Sequence, residues 1–152
     1  QEFYDQYFTA FPRLAQYIEE SKGDASRLGY TETFFGRRRY LDGVQSHIPY
    51  VRAAAERMAI NAPIQGTQAD VVKLAMIHIN ELFEKEAGDK AFLLMQVHDE
   101  LVFEIKDSEI DKLAPKIKEL MEGVIPLKDT NGIPLKAEGK KGDNWGEMKP
   151  LE

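Results

Sequence analysis

An α+β fold, with helices packed on a small antiparallel sheet, is predicted for this chain by three features. Apolar residues recur at helical spacing over several long stretches. Two strand-forming runs, residues 91–97 and 100–105, stand so close together that only an antiparallel hairpin can join them. The order of elements (helices, hairpin, helices, hairpin, helix, strand) pairs strands with sequence neighbours, as α+β folds do.

The elements follow in order. Phe3, Tyr7, Phe8 and Phe11, then Leu14, Tyr17 and Ile18, predict helix over residues 2–21, with Pro12 starting a second helix at its first turn. Gly23 and Gly29 bracket a polar connection. Tyr30 to Phe35 alternates and is rich in β-formers, Gly36 turns the chain, and Arg37 to Leu41 returns as the second arm of a short hairpin. A loop holding Gly43 and Pro49 leads to a helix over residues 50–61.

Asn61-Ala62-Pro63 is expected to interrupt that helix, and Gly66-Thr67 to open the next. Thr67 and Asp70, three apart, resemble a capping box. Val71, Leu74, Ala75, His78, Ile79, Leu82 and Phe83 form its buried stripe, ending near Gly88. After the hairpin, Ser108 is expected to cap a helix whose Ile110, Leu113, Ile117, Leu120 and Met121 face inward. Residues 133–137 read as a last strand, and Trp145 is expected to plug the C-terminal segment into the core.

The length of 152 residues suits one compact domain, expected over residues 1–150. Gln1 opens directly into a helical pattern and Leu151-Glu152 follows a Lys-Pro, so a fragment of a larger protein is expected, its last two residues a cloning remnant. No apolar run approaches the roughly 18 residues of a membrane span, so no membrane partner is expected. The absence of cysteine excludes disulfides and thiolate metal sites, and is compatible with a cytosolic home.

A net charge of −6 argues against a simple basic nucleic-acid-binding domain, but its distribution is uneven. All seven arginines lie within the first 57 residues, and the remaining cations are lysines, nearly all further along. Arginine is the side chain suited to bidentate phosphate contact, so an acidic average can hide a phosphate-facing patch; pairing with nearby acids is the plainer alternative.

Three groups of residues could carry chemistry. Leu93-Leu94-Met95-Gln96-Val97-His98-Asp99-Glu100-Leu101-Val102-Phe103-Glu104 welds two greasy runs together through three consecutive titratable side chains. In a regular strand Asp99 and Glu100 would point to opposite faces, but at a tight turn both carboxylates can sit at the rim. A hard cation such as Mg²⁺, which keeps waters and substrate phosphates as its other ligands, would suit them; a solvated acidic turn is the commoner reading of such residues. Arg37, Arg38 and Arg39 are either a phosphate grip or a charged, protected edge strand. Arg57 and Asn61 share a helix face, with Gln65 continuing the line if Pro63 did not bend it. Such a row can touch phosphate, sugar and base-edge acceptors, or be an ordinary polar face. His47 and His78 carry no functional assignment, and the three histidines lack the spacing of a metal site.

Taken in order, residues 29–41 (GYTETFFGRRRYL), 52–76 (RAAAERMAINAPIQGTQADVVKLAM) and 96–104 (QVHDELVFE) closely resemble the C-terminal region of family A DNA polymerases, the bacterial DNA polymerase I type. The likeness runs over nearly the whole chain, through IPLKAEGKKGDNWGEM. It implies the palm subdomain of a DNA-directed DNA polymerase that transfers nucleotides from dNTP to a primer 3′-hydroxyl by two-metal-ion catalysis. By resemblance, Asp99 is one of the aspartates that bind two Mg²⁺ ions, Glu100 a supporting acid, and His98 a contact to the primer terminus. Arg57, Asn61 and Gln65 match positions along the duplex minor groove and the template–primer junction. Arg37 and Arg38 fall in the GRR phrase, where a structural or backbone-contacting role is expected.

The family's other palm aspartate, in a phrase like DYSQIELR, and its nucleotide-gripping fingers helix do not occur in these residues. The isolated chain is therefore expected to be inactive, with weak Mg²⁺ affinity and exposed edges through which it could form a homo-oligomer. Primer–template DNA and dNTP are the implied partners of the full-length protein, in a bacterial cytoplasm at the nucleoid. A non-catalytic DNA-binding remnant and one subunit of a split polymerase are the alternatives.

Overall fold

The computed structural model describes residues 2–151, so Gln1 and Glu152, half of the expected remnant, lie outside the described residues. The fold is α+β. Among the described residues, the strands form three separate two-stranded antiparallel ribbons rather than one sheet. The chain divides into two compact units, Gln1–Gln68 and Ala69–Glu152, and the division falls inside a single helix.

In the first unit, α1 (Glu2–Ala10) and α2 (Pro12–Leu28) meet at Pro12, as its preset φ and missing N–H favour. The polar connection expected at Gly23 is instead helix, and α2 ends only at Gly29, whose N–H bonds the Ala25 carbonyl and whose φ of 76° turns the chain out of the helix. A mid-helix glycine costs about 1 kcal/mol against alanine. Ala25, buried two residues further on, packs this end of α2 into the core. Strands β1 (Tyr30–Glu32) and β2 (Arg38–Tyr40) form the expected hairpin, with Tyr30 opposite Tyr40 and Glu32 opposite Arg38. The core beneath contains Ala25, Leu41, Val44, Ala55 and Ala59, and the Tyr17 hydroxyl donates to the Ile60 carbonyl.

Helix α3 runs unbroken from Pro49 to Glu86, so the break expected at Pro63 does not occur. A proline inside a helix forfeits one hydrogen bond and costs about 3 kcal/mol. Buried Ala55, Ala59 and Ala62 before it, with Val72 and Ala75 after it, hold the backbone helical. The capping box is likewise overturned, because Thr67 is interior; its hydroxyl donates back to the Pro63 carbonyl at 2.6 Å.

In the second unit, β3 (Ala91–Val97) and β4 (Glu100–Ile105) pair within the bounds expected. Ala75, Ile79, Phe83 and Ala87 of α3 and the following turn pack with Ala91, Leu113 and Ile117. Leu101, Phe103 and Ile105 of β4 close over this cluster, and Phe103 meets Phe83 edge-on. Register shifts between Leu93 and Met95, so a bulge at Leu94 exchanges which side chains of β3 face the core. Phe92 and Leu94 stand exposed on the outer face by ordinary alternation, and Met95, beyond the bulge, joins them.

Helix α4 (Asp107–Glu122) supplies Leu113 and Ile117 as expected. It begins one residue before Ser108, with Lys106 at the cap position and no side-chain cap. Glu86 bonds Lys116 and ion-pairs with Lys112, while Lys90 reaches Glu109, tying α3 and the next turn to α4. Residues 133–137 form no strand; the Ala137 N–H bonds the Glu122 carboxylate instead. Pairing occurs later, between β5 (Lys140–Lys141) and β6 (Lys149–Pro150). Trp145 is 53% exposed and does not plug the core.

Candidate functional site

The joint of the β3–β4 hairpin is a two-residue loop, His98-Asp99, closed by pairing of Val97 with Glu100. His98 has φ of 56°, and Asp99 is not among the positive-φ residues. In φ this matches a type II′ connection, whose first position is normally glycine. The Gln96 side-chain amide donates to the His98 carbonyl at 3.0 Å and fixes that peptide. His98, Asp99 and Glu100 are all exposed. The hairpin thus carries three polar side chains outward from strands anchored by Leu101 and Phe103.

Among the described residues, no three His, Cys, Asp or Glu side chains gather to hold a metal ion. Asp99 and Glu100 do offer adjacent exposed carboxylates, which are hard oxygen donors. That donor set fits a divalent cation that retains waters and takes substrate oxygens as its remaining ligands.

On the first unit, the unbroken α3 places Arg57, Asn61 and Gln65 one turn apart on one exposed row. The bend expected to separate Gln65 from the other two is absent. Gln68 and Ile64 extend the same exposed face.

The β1–β2 turn docks onto α3 beside this row. Thr67 Oγ1 accepts from the Phe34 N–H at 2.9 Å, and the Arg37 guanidinium donates to the Gly66 carbonyl at 3.0 Å. A Cβ on Gly66 would lie 2.5 Å from the Thr33 methyl, so only glycine admits this approach. The Asn-Ala-Pro to Gly-Thr phrase is therefore a close-approach surface, not a turn. Arg38 bonds Glu32 at 2.8 Å and lies over the Tyr30 ring. Thr31, Glu32, Thr33, Arg37, Arg39, Ala62, Gln65 and Gly66 line an open cleft of about 220 Å³.

The family model for DNA polymerase family A matches residues 1–147. The chain belongs to this family. Among family A relatives, the thermostable DNA polymerase I of Thermus aquaticus is 44% identical over 149 residues, covering 98% of this chain and 17% of that protein. DNA polymerase I of Pseudomonas aeruginosa is 40% identical over 147 residues, covering 97% and 16%. The chain thus spans about a sixth of the length of these relatives. The POL domain of Pol1 from M. smegmatis, solved in complex with DNA primer-template and dNTP, is similar at a TM-score of 0.79 and 42% identity over 87% of this chain and 22% of that one.

Of the residues singled out from the family A phrases, the fold puts His98, Asp99 and Glu100 on one turn and Arg57, Asn61 and Gln65 on one helical row. The turn belongs to the second unit and the row to the first. Arg37 and Arg38 bond within their own unit, and Arg37 shares the cleft with Gln65. The double role of the Thr67 hydroxyl was missed from sequence; the available signal was Gly66 beside it in an otherwise helix-forming run.

Proposed function

We propose that this chain is the palm portion, residues 1–150 acting as one region, of a DNA-directed DNA polymerase acting on primer–template DNA and dNTP. The observation that carries this is the exposed two-residue turn presenting Asp99 and Glu100, in a chain of family A. Asp99 and, in support, Glu100 would hold divalent metal, Mg²⁺ by the hardness of their oxygens. Two such ions supply Lewis acidity at the primer 3′-hydroxyl and at the phosphates. His98 orients the primer end, its place fixed by the Gln96 bond beneath it. Arg57, Asn61 and Gln65 lie along the duplex, donating to minor-groove acceptors that are nearly equivalent for A·T and G·C pairs. That reads pair shape while ignoring sequence. Arg37 and Arg38 brace the β1–β2 turn that supports the row, the structural side of the two roles expected for them.

The test is primer extension by the full-length protein. Asp99→Asn should lower the extension rate by at least about a hundredfold, the scale of losing one positioned electrostatic group, with primer–template affinity retained. Extension near the wild-type rate would remove Asp99 from the metal site. The 152-residue chain by itself should extend no primer, since one exposed carboxylate pair cannot place two ions. Extension by this polypeptide, with contaminating polymerase excluded, would contradict that.

A further inference from the structure

The three consecutive arginines of the GRR phrase are not equivalent. Arg37 donates to the Gly66 carbonyl, and Arg38 pairs with Glu32 and stacks on Tyr30, so both hold the hairpin together. Among the described residues, the Arg39 guanidinium has only the Met58 thioether sulfur at 3.4 Å, a weak acceptor for a strong donor. Arg39 is exposed on β2 and lines the same cleft as Gln65. The cleft's one carboxylate, Glu32, is already neutralised by Arg38, which leaves the opening with net positive charge.

We propose that Arg39 binds a backbone phosphodiester of the nucleic acid that passes Gln65. The inference rests on the reading of the α3 row as a DNA-facing surface. Arginine presents a planar fork of donors that matches two oxygens of one phosphate, and a single guanidinium balances the single charge of a phosphodiester. A dNTP triphosphate carries several charges and would call for several cations, so the chain phosphate is the favoured source.

Each phosphate neutralised adds about 0.9 to the slope of log affinity against log salt for duplex DNA. In the full-length protein, Arg39→Gln should therefore reduce that slope for primer–template binding by about one. Arg39→Lys keeps the cation and should restore most of the slope, which a merely structural role would not require. An unchanged slope in Arg39→Gln overturns the proposal. So does a raised KM for dNTP with the DNA slope intact, which would assign the arginine to the triphosphate. If the wild-type protein fails to bind primer–template DNA at all, the functional reading falls and this inference with it. That outcome is distinguishable because it appears before any substitution is made.

Discussion

His98 occupies a backbone region that costs most L-residues about 1–2 kcal/mol. Its φ of 56° is held by the closing Val97–Glu100 pair and the Gln96 bond to its carbonyl. Glycine would relieve the strain, so the side chain is retained against the local preference. His98→Gly should slow hydrogen exchange at the Val97 and Glu100 amides while lowering primer extension; faster exchange in the variant would show that the turn is not strained. The joint was readable in the sequence as a tight turn between two strand-forming runs. Its chemical reading came only from the family phrase, because three exposed polar residues fit a solvated turn equally well. The positive φ was not readable, since nothing local to His98 demands it. It follows from the strand register on either side.

Among the elements, α3 shows how tertiary contact overrides local signals. Pro63 and Gly66 both argue for a break, yet buried Ala55, Ala59 and Ala62 before them and Val72 and Ala75 after them keep the helix continuous, and that continuity aligns Gln65 with Arg57 and Asn61. Helical spacing located the buried stripes of α3 and α4, because burial imposes it on them, and runs of strand-forming residues located both arms of the β3–β4 hairpin. It could not reveal contacts made by a distant turn, such as Phe34 on Thr67. Thr67→Val removes both bonds of the hydroxyl at nearly constant volume and should destabilise the first unit by about 1–3 kcal/mol, with Thr67→Ser recovering most of the loss. Denaturant unfolding measures this, and equal effects of Val and Ser would remove the hydroxyl from the account. A second tie is electrostatic. Hydrogen bonds from Lys116 and Lys112 hold the Glu86 carboxyl below its ordinary range. A carboxylate with a lowered folded pKa contributes stability above its unfolded value and loses it as pH falls through the folded one. Acid unfolding of Glu86→Gln should therefore depend less on pH in that window, and an unaltered pH profile would show that the tie carries no stability.

Across the whole molecule, charge is divided by type and by place. Arginines gather in the residues that form the first unit, where Arg37, Arg38 and Arg39 divide bracing from the open cleft, and the acidic turn lies on the second. Average charge hid this because the net value of −6 sums over both. The exposure of Met95 in β3, at a position that plain alternation from Ala91 and Leu93 would turn inward, also escaped the sequence reading. A one-residue bulge reverses side-chain facing without leaving a mark in composition. The central claim is that the His98-Asp99-Glu100 turn holds divalent metal when the full-length protein engages DNA. Substituting Fe²⁺ with a reductant, so that hydroxyl radicals cut the backbone nearest the ion, tests it most directly. The account predicts cleavage within residues 97–101, suppressed by excess Mg²⁺ and lost in Asp99→Asn. Cleavage confined to other segments, or unaffected by Asp99→Asn, would contradict it.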